Sequence, residues 1–416
     1  MRSTSSITIN LSAIDRNIAA LRSRIGAGCD LCAVVKADGY GLGAPAVATQ
    51  LARSGVSMFA VYSLAQAEAI AAAEDRLPIL VLMPVREIEI GGGIHRLLLK
   101  GCLHLTVHGR SHAQDLAAIA ETLGGGALPV HLEVDTGMSR GGALPEEAVR
   151  TIALIADDRR LRLAGVFTHF SDSQSDATQT HLQMDRFDAL VASAGDGIPR
   201  DAILHAANSH AVARSSRFHQ SMVRVGLAWT GLASIENDSA WSSPLEPILS
   251  WESSIVHVKE IPVGSPVGYG SRWQASRPTR VGMIPVGYFD GYPMGGSDEA
   301  GRFVRIIAET PGGERSTDVP VLGAVNMDQI VVDLTDCPAS LACTDGFIGM
   351  RAELYGADPS ARNFLPALAR AVGTHPYELL CRLHPRIVRR FAVDTVDAVT
   401  ASAAPFDPGV AGAIAS

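Results

Sequence analysis

The chain has 416 residues, an apolar fraction of 47% with only 5% aromatics, and a formal net charge of −8. That length accommodates one large α/β domain and a smaller companion, with cores built mainly from Ala, Val, Leu and Ile. The acidic balance, with no basic run and no apolar stretch of spanning length, argues against nucleic-acid and membrane partners.

The first ten residues lack the apolar segment of a signal peptide, so a cytoplasmic location is expected. Residues 6–11 alternate apolar and polar side chains as an edge strand does, and residues 14–25 carry apolar side chains at helical spacing. Cys29 and Cys32 form a C-x-x-C with no second pair nearby. Cys32 therefore reads as a small core residue rather than a metal ligand, and no metal is expected.

A rhythm of apolar strand, Gly/Ser/Asp-rich loop and amphipathic helix then sets in. Strands are expected at 31–35, 58–62, 79–83, 104–107, 130–134, 163–168, 203–207 and 222–225, and such a βα series predicts an N-terminal (β/α)8 TIM barrel. Ser63-x-x-Gln66 and Ser111-x-x-Gln114 read as capping boxes, Gly124 as a helix stop, and Pro45 and Pro145 as first-turn prolines. Near Leu232 the texture changes. Strand-like runs at 255–261, 280–286, 303–308, 319–323 and 329–334 predict a second, mostly β domain, with helices at 361–372 and 377–383 inside it. The expected division is a barrel over 1–235, whose residues 1–12 can pair with the β domain, a β domain over 236–398, and a loose tail over 399–416.

Several loops carry residues with chemical potential. Cys32-Ala33-Val34-Val35-Lys36-Ala37-Asp38-Gly39-Tyr40-Gly41-Leu42-Gly43 ends an apolar strand on a lysine and a glycine-rich turn. A lysine at a barrel rim is either a snorkelling surface group or a carbonyl nucleophile with a lowered pKa. Asp135-Thr136-Gly137-Met138-Ser139-Arg140 offers a loop arginine, either solvated or a fork for an anion. Thr168-His169-Phe170 ends a strand on a histidine that is either structural or catalytic. Asn208-Ser209 opens a helix, where a hydroxyl serves as a cap or as an anion contact. Val223-Arg224-Val225-Gly226-Leu227 places an arginine inside an apolar run, and Gly268-Tyr269-Gly270 sets a tyrosine between glycines.

Taken together these segments resemble the alanine racemases, in the family order and over about residues 7–390. The resemblance implies a barrel that binds pyridoxal 5'-phosphate and a C-terminal β domain. It implies that Lys36 carries the cofactor as a Schiff base. Tyr40, Ser209 and the amides of Gly226 and Leu227 are then placed at its phosphate, and His169 lies against its ring. Arg140 approaches its phenolic oxygen and the substrate carboxylate, and the Met327 amide also meets that carboxylate. Arg224 donates to the ring nitrogen. Arginine stays protonated, so the ring stays a weak electron sink and racemisation is favoured over transamination. Lys36 and Tyr269 are the implied acid/base pair, one on each face of the substrate.

The implied reaction interconverts L- and D-alanine, supplying D-alanine for cell-wall peptidoglycan, in a homodimer with shared active sites. A serine or broad-specificity racemase of the same fold is the alternative, followed by a silent cofactor carrier or a decarboxylase. Three positions depart from the family pattern. Glu133 stands where many members have a lysine, often carbamylated, that orients the arginine, and it is expected to pair with Arg140 directly. Ala324 replaces an arginine of the entryway, so a different entry charge is expected, and Pro385 stands where many members put a tyrosine that constricts the site, so a wider opening is expected.

Overall fold

The computed structural model describes residues 5–89, 92–123, 126–233, 244–295, 301–310, 313–338 and 346–394. The expected stop at Gly124, most of the join around 235 and the tail from 399 lie outside the described residues.

Strand β1 (Ser5–Asn10) buries every second residue, Ile7 and Ile9 among them. Asn10 ends it and caps the helix Leu11–Ile25, its side chain accepting from the Ala13 amide at 3.1 Å. Then come β2 (Asp30–Val34), β3 (Met58–Val61), β4 (Ile79–Val81), β5 (Leu103–Val107), β6 (Leu128–Glu133), β7 (Leu161–Phe167), β8 (Ile203–His205) and β9 (Met222–Val225). They pair in parallel in sequence order, and β9 returns to β2 to close the barrel. Helices follow most strands and cover the outer face. Most strand residues are buried on both faces, and the strands therefore read as largely apolar runs with a few buried polar residues among them. Cys32, Met58, Ala60, Leu80 and Met222 fill the interior, so the barrel is a packed core and not a pore.

Both first-turn prolines stand where expected, in the helices Ala44–Arg53 and Pro145–Asp157. The capping boxes differ from expectation. Ser63 accepts from the Gln66 amide at 3.4 Å, but the Gln66 side chain reaches back one residue further, to the Tyr62 amide at 2.9 Å. Ser111 caps nothing, because its helix starts at Arg110. A carboxylate from a neighbouring helix does that work: Glu147 accepts from the Arg110 amide at 3.3 Å and from its Nε at 2.9 Å.

The β domain contains β10 (Leu249–Ser254), β11 (His257–Ile261), β12 (Pro266–Val267), β13 (Trp273–Gln274), β14 (Thr279–Ile284), β15 (Phe303–Thr310), β16 (Gly313–Leu322), β17 (Ile330–Asp333), β18 (Arg351–Tyr355) and β19 (Val388–Ala392). Except for the β12–β13 pair, these form one sheet with β1, in the order β11-β14-β17-β16-β15-β18-β10-β1-β19. β1 is thus an inner strand and not an edge, because β19 pairs with it in parallel on the open side. The expected strand at 255–261 is split. Ile255 donates to Met350 O and Val256 to Met283 O, so the chain changes neighbours there and resumes as β11. The helix expected at 361–372 begins only at Leu365. No helix among the described residues is long and apolar enough to cross a membrane.

Candidate active site

Lys36 stands just beyond the end of β2, at the C-terminal mouth of the barrel. Ala37, Asp38, Gly39 and Tyr40 follow with φ of 53°, 56°, 61° and 61°, which is one turn of left-handed helix. Three of the four are not glycine, and each pays about 1–2 kcal/mol for that conformation. Contacts on both sides hold it. Asp38 accepts from the Ala44 amide at 2.7 Å, which caps the next helix, and the Gly39 amide donates to Val35 O at 3.0 Å. From the far end of the chain, Arg389 donates to Gly41 O at 3.0 and 3.2 Å. The turn folds Tyr40 back so that it is buried beside Trp229 and Tyr377.

One cavity of about 950 Å³ brings together Lys36, Tyr40, Arg140, His169, Ser209, Arg224 and Gly226. Burial, and then the nearby Arg140 charge, lower the pKa of the Lys36 ammonium, as a nucleophilic amine requires. At one end of the cavity backbone and hydroxyls converge. The amides of Gly226 and Ala228 donate to Ser209 Oγ at 3.0 and 3.1 Å, and the Leu227 amide donates to Tyr377 Oη at 2.7 Å. Hydroxyls that accept from amides keep their own protons for a further acceptor, so the array presents donors to an anion. Only glycine fits at 226, where a Cβ would fall 2.2 Å from Tyr40 Oη and 2.7 Å from Tyr377 Oη. Leu227 contributes only through its backbone. Tyr377, from the helix Pro376–Cys381, is a member of this array that the sequence does not mark as a site residue, although a helix is expected over 377–383.

At the other end Arg224 is only 4% exposed. Its Nη2 donates to Thr168 O at 2.8 Å and to His169 Nδ1 at 3.2 Å, and its Nη1 to His205 Nδ1 at 3.0 Å. The guanidinium lies 4.9 Å from the centroid of the Phe167 ring. Among the described residues no carboxylate pairs with it, and burial pulls its pKa down to about 10. Burial, followed by the Arg224 charge, pushes His169 down to about 3, so that ring is neutral.

Tyr269 and Met327 are not in this cavity. They line a separate, open hollow on the β domain with Gly268, Asn326, Asp328 and Gln329, and Tyr269 is 78% exposed. Gly268 and Gly270, at φ of 73° and 75°, hold the tyrosine on a tight turn.

Two family models divide the chain, one described as the N-terminal domain of alanine racemase over residues 9–234 and one as its C-terminal domain over residues 248–391. The chain belongs to the alanine racemase family. An alanine racemase of Treponema pallidum is 35% identical over 397 residues, covering 92% of this chain and 97% of that protein. The biosynthetic alanine racemase of Pseudomonas aeruginosa matches in structure with a TM-score of 0.76 at 29% identity, over 94% of this chain and all of that one. The alanine racemase of Bartonella henselae, solved with covalently bound pyridoxal phosphate, matches with a TM-score of 0.77 at 24% identity, over 94% of this chain and all of that one. The chain is accordingly an enzyme, an amino-acid racemase acting on alanine, from a family that depends on pyridoxal phosphate.

The expected Glu133–Arg140 pair is not formed. The Glu133 carboxylate lies 3.1 Å from His108 Nδ1 instead. The same nitrogen is 3.1 Å from the Gly142 amide, which donates to it. The physical reason lies in the loop: Asp135 Oδ1 accepts from the amides of Gly137, Met138 and Ser139 at 2.9, 2.9 and 3.0 Å, which curls 137–139 around it. The Ala143 amide closes the loop onto Glu133 O at 2.9 Å. Arg140 is carried past Glu133 on this curl and stands exposed at the cavity wall.

Proposed function

We propose that the barrel cavity holds pyridoxal phosphate on Lys36 and that alanine is racemised there by two bases, the second of them Tyr269 from another copy of the chain. The observation that carries this reading is the hydroxyl-and-amide array at Gly226, set in one cavity with Lys36 and Arg224. A doubly charged phosphate fits that array, an aldehyde fits the amine of lowered pKa, and a pyridine nitrogen fits a buried arginine that has only neutral acceptors. When bound, the cofactor supplies the electron sink that makes the Cα proton of alanine removable.

The residues of the chain do the rest. Tyr40, Ser209, Tyr377 and the backbone at Gly226 and Leu227 hold the phosphate. His169, neutral at all working pH values, packs against the ring without adding charge. Arg224 donates to the ring nitrogen and, staying charged, keeps a proton off it. Arg140 and the Met327 amide orient the substrate carboxylate. Lys36 moves a proton at one face of Cα and Tyr269 at the other, and the exposure of Tyr269 on a single chain favours a partner copy as its destination. The reading includes a division near residue 235 into barrel and β domain, a cytoplasmic homodimer, and a supply of D-alanine to peptidoglycan.

The test is Lys36→Ala. The purified parent protein should show the visible absorbance of lysine-linked cofactor. The variant should lose that band and racemisation while still taking up free pyridoxal phosphate weakly through the phosphate array. Near-normal turnover by Lys36→Ala without added amine would end the assignment.

A further inference from the structure

Behind Arg224 three buried imidazoles run down through the barrel. His205 Nδ1 meets Arg224 Nη1 at 3.0 Å, His205 Nε2 meets His131 Nδ1 at 2.9 Å, and His131 Nε2 meets His104 Nδ1 at 2.9 Å. His104 in turn hydrogen-bonds the Gly101 backbone, just ahead of β5. The rings come from β8, β6 and β5, and their residues are 0%, 0% and 6% exposed.

The direction of this chain is set at its top. Arginine only donates, so His205 Nδ1 must accept and the His205 proton sits on Nε2. His131 Nδ1 then accepts and its proton also sits on Nε2, and the same holds for His104. A proton on any Nδ1 would set two donors face to face. Burial, reinforced by the cations Arg224 and Arg162, keeps all three rings neutral.

The barrel is built to admit the chain. β7 stands between β6 and β8, so the His131 ring has to pass over it to reach His205. Its register partner on β7 is Gly165, where a Cβ would lie 2.4 Å from His131 Nδ1 and 2.7 Å from Cε1.

The geometry points to His131 and His104 as positioning residues for Arg224: acting through His205, the chain of Nε2–H rings keeps His205 Nδ1 an acceptor and fixes the guanidinium that faces the cavity. This rests on the reading of Arg224 as the partner of the cofactor ring nitrogen. If His205 loses its anchor and turns Nδ1–H toward Arg224, the guanidinium is displaced and the ring nitrogen loses its fixed donor. Protonation of the ring from water then favours the side reaction, in which the amino group of alanine passes to the cofactor as pyridoxamine phosphate and pyruvate leaves.

The decisive measurement needs no cofactor. In cofactor-free protein with 15N-labelled histidine rings, His104, His131 and His205 should each give a protonated Nε2 and a bare Nδ1, unchanged from pH 6 to 8, with signals assigned by single variants. His131→Leu should alter the His205 ring signals, and His131→Gln, whose amide offers one acceptor and one donor, should restore them. In the loaded enzyme pyridoxamine phosphate formed per turnover should rise on the order of tenfold in His131→Leu and Gly165→Ala, and stay near the parent value in His131→Gln. A bare Nε2 on any of the three rings in the parent protein, which requires no variant to fold, overturns the proposal. So does an unchanged pyridoxamine-phosphate yield in a folded His131→Leu protein whose His205 signals have moved. A parent protein that takes up no pyridoxal phosphate, with the ring signals as expected, would instead count against the reading of the cavity.

Discussion

Arg224 tests the division of labour at the level of single residues. Replacing it with glutamate puts an acceptor where a permanent donor stood, and an acidic partner protonates the ring nitrogen. Arg224→Glu should lower racemisation by at least tenfold, on the order of one lost charge-assisted contact, and should let pyridoxamine phosphate build up during turnover as measured by chromatography of the released cofactor. Racemisation left intact with no such build-up would refute the contact. Most of the residues proposed for the site were legible in the sequence because each lies just past the end of a strand or opens a helix: Lys36 after β2, His169 after β7, Ser209 after Asn208, Gly226 after β9. Tyr377 was not, since its hydroxyl reaches Leu227 across 150 positions of sequence. The partner of Glu133 was not either, because the curl of amides around Asp135 that carries Arg140 past it is a property of backbone shape.

Among elements, the left-handed turn after Lys36 depends on the C-terminal segment 376–389. Arg389 donates to Gly41 O, to His384 O and Ile387 O at 2.7 Å, and to Leu383 O at 2.9 Å, so one guanidinium ties that segment to the turn. Gly41, at φ of 78°, lets the Leu380 carbonyl approach to where a Cβ would be 2.7 Å away. Gly41→Ala should therefore cost about 1–3 kcal/mol from backbone strain and overlap together, read as a lower urea midpoint with unchanged slope, and should weaken pyridoxal phosphate uptake because Lys36 and Tyr40 flank the strained turn. A variant as stable and as avid as the parent would show that the turn does not need the close approach. The barrel strands were readable because burial makes them largely apolar runs, broken only by a few buried polar residues such as His104, His131 and Arg224. β10 does not stand out in the sequence because Leu249, Trp251 and Ser253 are buried between polar neighbours, and a half-polar strand of that kind is specified by its pairing with β1 and β18.

For the whole molecule, the buried neutral histidines and the displaced tyrosine each predict a bulk property. Burial puts His104 at about 4 and His169 at about 3, and holds His131 and His205 well below the ordinary value. Below about pH 6.5 the unfolded chain takes up protons that the folded chain refuses, so stability is full above that value and is lost as pH falls toward 4, by up to about 1.4 kcal/mol per pH unit for each such histidine. Urea midpoints should hold between pH 7 and 8 and drop steeply from 6.5 to 4.5, less steeply in His104→Leu. A flat profile would mean that these rings are protonated in the folded protein. The second property is assembly. Tyr269 is 78% exposed and Met327, which lines the same hollow, is 53% exposed, an apolar cost that a single chain leaves open. Lys36 meanwhile sits in a cavity that Tyr269 does not line. The proposed isologous two-fold dimer, lending each tyrosine to the other barrel, would cover these side chains and complete two equivalent sites. Lys36→Ala and Tyr269→Ala chains, each inactive alone, test this when mixed, dissociated and reassembled. In a mixed dimer one site carries both lesions and the other carries none. Random pairing makes roughly half the dimers mixed, so activity should recover to about a quarter of the parent level. No recovery, with mixed dimers shown to be present by mass, would mean that each barrel is served by its own tyrosine, and the exposed turn at Gly268–Gly270 would then have to close onto its own cavity.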